Sequence, residues 1–203
     1  MKLLRSGVVV ALLLVCVACA TAGPPKMEIN VAGDVLIPIG SWSDAVGVGF
    51  GGDAQFQYNF TPVISGGATI GYFSWGGKEV GSVKTPSYGG VPFRLMGKYY
   101  FMPPMKQGIR VYGSVELGLF FGPSGDVEYT IPSFIPGAPA TTGTVSGGSS
   151  TDFNYVFAVG ADYPVSADGR TKITGNVRWD GIAASTSANN IAFRVGVQFG
   201  IGD

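Results

Sequence analysis

From Met27 to Ile201 the chain runs as a series of short segments in which apolar residues alternate with polar ones. In Ile109-Arg110-Val111-Tyr112-Gly113-Ser114-Val115-Glu116-Leu117-Gly118-Leu119, the residues Ile109, Val111, Val115, Leu117 and Leu119 share one side, and Arg110, Tyr112, Ser114 and Glu116 share the other. Side chains alternate with period two along a strand, so the pattern describes a sheet between two different media. It predicts strands over residues 27–39, 46–60, 63–75, 90–101, 109–121, 153–165, 172–180 and 191–201. Each supplies the ~9–11 residues with which a tilted strand crosses a bilayer. No segment longer than a turn carries helical periodicity. One apolar face reads Val46, Val48, Phe50, Ala54, Phe56, Tyr58 and Phe60 in the second strand, and Ile191, Phe193, Val195, Val197, Phe199 and Ile201 in the eighth. These predict an outward, lipid-facing set.

The connections alternate in length. Phe60-Thr61-Pro62, Met102 to Gly108 and Ser166 to Thr171 carry tight-turn residues. The intervening connections vary, and residues 122–152 form the longest. Short turns at one end and long loops at the other are the pattern of a transmembrane barrel. Aromatic residues gather near strand ends. Tyr58, Phe60, Tyr99, Phe101 and Tyr163 are expected at a periplasmic rim, and Tyr72, Trp75, Phe121, Phe153, Tyr155 and Trp179 at an outer one.

The first residues read as a targeting signal. Lys2 and Arg5 precede an apolar run from Gly7 to Val17, too short for the ~20 residues of a spanning helix. Ala18-Cys19-Ala20 and Ala20-Thr21-Ala22 are small-residue cleavage sites. The expected organisation is a signal peptide over 1–22 and one barrel domain over 23–203, with lipidation at Cys19 as the alternative processing. Both cysteines, Cys16 and Cys19, lie in the signal, so disulfide and thiolate chemistry are not expected in the mature chain.

The face opposite the apolar one holds Glu28, Asp34, Asp53, Arg94, Lys98, Arg110, Glu116, Asp162, Lys172, Arg178, Asp180 and Arg194. Six are acidic and six basic, so inside a narrow barrel they should pair. Continuing the hairpin symmetrically from Phe101 opposite Ile109 places Arg94 opposite Glu116. This pair is expected to anchor a network with Lys98 and Asp53. Gly47, Gly49, Gly51, Gly67, Gly71, Gly118, Gly160, Gly196 and Gly200 share the inner face and leave space for large residues opposite or for water. Eight strands enclose an interior just wide enough for side chains to fill. A plugged polar lumen is therefore the leading expectation, a narrow charged pore or small-solute path the second. A lipocalin-like soluble barrel with the opposite sense is the third.

The architecture resembles the small eight-stranded outer-membrane barrels of Gram-negative bacteria, of the OmpA-like and OmpX-like type, over nearly all of residues 23–203. That resemblance implies an all-β, eight-stranded antiparallel up-and-down transmembrane β-barrel in the outer membrane, with lipid and the barrel assembly machinery as partners. The last strand departs from that family, whose members usually end on an aromatic. Here Phe199 is followed by Gly200-Ile201-Gly202-Asp203.

Other chemistries find little support. The full chain has 13 acidic and 13 basic residues, without the basic surplus of a nucleic-acid binder. It has no His, so the barrel lipases, acyltransferases and proteases lack their usual residue, and a zinc site lacks its ligands. Gly47-Val48-Gly49-Phe50-Gly51-Gly52 matches G-x-G-x-x-G but lies within a strand, not before a helix. The reading is non-enzymatic, without cofactor or metal. Within 122–152, Phe134 and Ile135 lie at a loop tip between Pro132 and Pro136 and mark a candidate surface contact. The flanks around 127–131 and 142–146 are expected to extend the hairpin.

Overall fold

A computed structural model describes residues 27–80, 83–84, 87–102, 108–123, 127–131, 141–145, 148–167, 169–184 and 187–201. The signal peptide and the loop tip with Phe134 and Ile135 lie outside the described residues. Eight strands form the barrel: β1 (Met27–Ile39), β2 (Val46–Asn59), β3 (Ile64–Gly77), β4 (Tyr88–Tyr100), β5 (Arg110–Pro123), β6 (Ser149–Pro164), β7 (Thr171–Ala183) and β8 (Ala188–Ile201). Each pairs antiparallel with its sequence neighbours, and β1 closes on β8 from Met27↔Ile201 to Ile39↔Asn189. Closure leaves no open edge and pairs the backbone groups of every strand, which lipid demands.

Alternation drives the pleat. β1 alternates exposed and buried from Met27 to Pro38. Outside lie Val31, Phe50, Ile70, Leu95, Val159, Phe193 and Val195, all exposed. Inside lie the polar and charged residues. This sense is opposite to that of a soluble barrel with an apolar cavity.

The connections at one end are short, with Gly169 at φ 71° in the β6–β7 turn. At the other end, Gly40 at φ 64° leads from β1 into the single-turn helix α1 (Trp42–Ala45). There the β5–β6 ladder extends to Pro123↔Ser149. Beyond it, Val127–Ile131 pairs with Thr141–Val145 as a separate ribbon.

Three expectations need correction. Arg94 is opposite Gly118, and Glu116 is opposite Met96. The Phe101 N–H donates to Val111 O, so Tyr100 pairs with Tyr112 and the ladder is offset by two residues from the symmetric count. Val46 is buried, not lipid-facing. The ladder steps from Val46↔Gly77 to Gly49↔Trp75, three residues on β2 against two on β3, and this bulge reverses the facing of β2 at its start. Trp75 is 1% exposed and faces inward with Phe73 rather than joining the rim. Gly49 and Gly51 make this possible, because a Cβ at either would overlap the Trp75 or Phe73 ring.

Candidate functional site

The lumen is the candidate site, and it is layered along the barrel axis. Nearest the short turns, Glu28 Oε1 takes the Lys172 ammonium at 2.5 Å. Its Oε2 accepts from Gln57 Nε2 at 2.9 Å, Asn59 Nδ2 at 3.1 Å and Gln198 Nε2 at 2.5 Å. The Tyr100 hydroxyl donates to Asp162 Oδ2 at 2.7 Å. Arg110 lies over the Tyr100 ring at 3.8 Å and donates to Pro62 O at 2.8 Å.

The middle layer is a dense ion-pair network. Arg94, fully buried, reaches Glu116 at 2.9 Å, Asp180 at 3.1 Å and Asp53 at 3.8 Å, and donates to Asn154 Oδ1 at 3.1 Å. Arg178 reaches Asp34 at 2.7 Å, Asp53 at 3.4 Å and Asp180 at 3.9 Å. Arg194 pairs with Asp53. Phe73 lies between two guanidiniums, Arg94 at 5.5 Å and Arg178 at 5.4 Å from its ring centre. Charges removed from water persist when each has a partner of opposite sign, and here most have two or three.

Lys98 does not join this network. Its ammonium lies 4.2 Å from the centre of the Tyr112 ring, and among the described residues no carboxylate pairs with it. The remaining charges divide into the middle network (Asp34, Asp53, Arg94, Glu116, Arg178, Asp180, Arg194) and the short-turn layer (Glu28, Arg110, Asp162, Lys172). Sequence reasoning missed the neutral polar partners: Gln55, Gln57, Asn154 and Gln198 are all buried. Their signal was there, since they fall on the same alternate positions as the charges.

At the long-loop end the lumen turns apolar. Leu36, Val46, Phe73, Trp75, Phe120, Ile182, Ala188 and Ala192 form one cluster, with Trp42 of α1 and Tyr88 packed against it. Trp42 meets Tyr88 edge-on at 5.3 Å and Trp75 at 6.2 Å, while Tyr88 stacks on Phe120 at 6.0 Å. The Trp75 indole donates to Asn190 Oδ1 at 3.0 Å, so its one polar atom is satisfied within the cap. Among the described residues no group of His, Cys, Asp and Glu has a metal-holding arrangement.

No family model matches the chain, and no curated protein matches it by sequence. Solved structures do. Neisserial surface protein A superposes with a TM-score of 0.56 at 13% identity, covering 87% of this chain and 98% of that one. The outer membrane protein OprG from Pseudomonas aeruginosa superposes with a TM-score of 0.57 at 11% identity, covering 90% and 98%. At such identities the likeness is one of fold: this chain is a closed, eight-stranded antiparallel barrel of the small outer-membrane type.

Proposed function

We propose that this protein is a non-enzymatic barrel of the Gram-negative outer membrane, with a plugged lumen and a displayed loop region. The observation that supports the reading is the filling of the interior: a fully buried Arg94 held by three carboxylates, with an apolar and aromatic cluster towards the long-loop end. Ion passage needs water or charged ligands along the whole path, and an apolar constriction excludes both. The exposed apolar exterior supports lipid as the surrounding medium. With the short turns on the periplasmic side, both ends of the barrel chain lie there, consistent with export through a signal at 1–22 and insertion by the barrel assembly machinery.

Single-channel recording of the protein in a planar bilayer tests the reading. A silent wild type, with openings only after Trp75→Ala, supports the plug. Stable wild-type openings whose ion selectivity changes in Arg94→Ala would overturn it in favour of a narrow pore. The surface role rests on the 122–152 connection, whose tip carries Phe134 and Ile135 between prolines. Deleting residues 134 and 135 should impair binding to cells or a surface ligand; wild-type binding by the deletion variant would remove this contact.

A further inference from the structure

The lipid-facing wall is not evenly covered. Across β3 to β7 it carries a groove of about 700 Å³. Two neighbouring rows of outward residues line it. One is a continuous cross-strand row: Ile64 opposite Tyr99, Tyr99 opposite Gly113, Gly113 opposite Val159, and Val159 opposite Val177. The next runs from Gly97 through Val115 to Phe157. The large residues of both rows are exposed, and none is charged.

The depression comes from the two glycines. Neither has a positive φ, so the backbone does not require glycine there; what each contributes is a missing side chain. Beside them the barrel covers such gaps with its own rings. Phe60 lies 2.8 Å from where a Cβ of Gly66 would stand, on the strand next to Gly97. Phe101 leans over Gly113 at 3.4 Å. A Cβ at Gly97 would meet nothing within 4 Å. An apolar wall with no atoms against it forfeits its dispersion energy until a neighbour of matching shape fills it.

Place and direction identify that neighbour. Ile64 begins β3 at the short-turn end, and Val177 lies midway along β7, so the groove climbs from the periplasmic rim towards the middle of the barrel. Five adjacent strands at a spacing of ~4.8 Å make it about 19 Å long. With strands tilted by ~35–45°, that length rises about 12 Å along the membrane normal. One leaflet supplies about 15 Å of a ~30 Å hydrocarbon core, so the groove stays within the periplasmic leaflet. A second barrel presents a convex wall that would span the groove without entering it. A single hydrocarbon chain is narrow enough to lie along it.

We propose that this groove binds one acyl chain of a phospholipid from the periplasmic leaflet, seated over Gly97 and Gly113 between Tyr99 and Phe157. The bound chain packs across β4, β5 and β6, and so adds to the stability of the barrel without entering the lumen. The site is independent of whether the lumen conducts.

The test uses the protein folded in detergent micelles. Palmitoyl-oleoyl phosphatidylethanolamine is titrated in, and dihexanoyl phosphatidylethanolamine serves as the probe with the same head group and short chains. Native mass spectrometry reads lipid retained after the detergent is stripped, and heat-dependent gel mobility reads the unfolding midpoint. The expected result is one long-chain lipid per barrel and a saturable rise of about 4 °C, with neither from the short-chain lipid. Gly97→Ile, which fills the groove, should keep the folded gel mobility and lose both effects. Gly175→Ile, at an outward glycine of β7 outside the groove, should keep both. Absence of retained lipid, retention that survives Gly97→Ile, or equal retention of the short-chain lipid would overturn the site. A dimer that Gly97→Ile dissociates would overturn it in favour of a second copy. If Gly97→Ile does not fold, Gly97→Ala decides: it should raise the half-saturating lipid concentration about threefold, the worth of one displaced methylene contact, and an unchanged value would overturn the site.

Discussion

The middle of the lumen and its long-loop end fill the same narrow barrel by opposite means. In the middle, Arg94, Arg178 and Arg194 interlock with Asp34, Asp53, Glu116 and Asp180. At the long-loop end, Leu36, Phe73, Trp75, Phe120 and Ile182 pack as an ordinary apolar core. The two touch at Phe73, whose ring belongs to the cap while its neighbours are guanidiniums. The difference separates two tasks. Apolar packing closes the lumen but tolerates repacking among residues of similar volume. A charge network is stable only when every partner is in place, so it defines one register of eight strands, which apolar side chains alone would specify less sharply.

The largest effect is expected where one side chain satisfies several partners. Arg94→Met should cost about 3–5 kcal/mol, because Glu116 and Asp180 each lose a close partner while remaining buried. A urea titration followed by gel mobility checks this, and a loss below about 1 kcal/mol would show that the layer is wet and screened. Trp75→Ala should cost about 3 kcal/mol in the same titration by opening a cavity in the cap. It should leave the charge network intact, so conductance rises while the fold persists. Glu116→Ala removes the Arg94 contact at 2.9 Å and should cost about 2 kcal/mol. An unchanged melting temperature would remove that pair as an anchor. Lys98→Met is the smallest, at about 1 kcal/mol or less, since only ring contacts are lost. A loss as large as that of Arg94→Met would place Lys98 in a carboxylate network after all.

The strands were legible because their two faces meet media of different polarity, which writes period two into most of the sequence, and β1 and β8 alternate in burial along their length. The membership of the lumen was legible for the same reason. Its partnerships were only partly so. Arg94 and Glu116 meet at 2.9 Å although they are not opposite one another, because the β4–β5 offset is two residues. An even offset keeps both on the inner face, and a long guanidinium bridges the diagonal. Lys98 has the same chemistry in the sequence as Arg94, but its height in the barrel sets it among Tyr100 and Tyr112 instead of carboxylates. Aromatic residues near strand ends were ambiguous, since rim and interior both favour them. The glycines of β2 opposite Phe73 and Trp75 settle these two as interior.

The alternation of apolar and polar residues by itself determined an antiparallel barrel, its strand count and which face bears charge, because side-chain direction in a strand depends only on position along the chain. Which charges pair, and where the lumen changes from ionic to apolar, was decided by the tertiary structure. Those follow from the stagger of neighbouring strands and the bulge at Val46, which set the height of each inward side chain against residues far away in sequence.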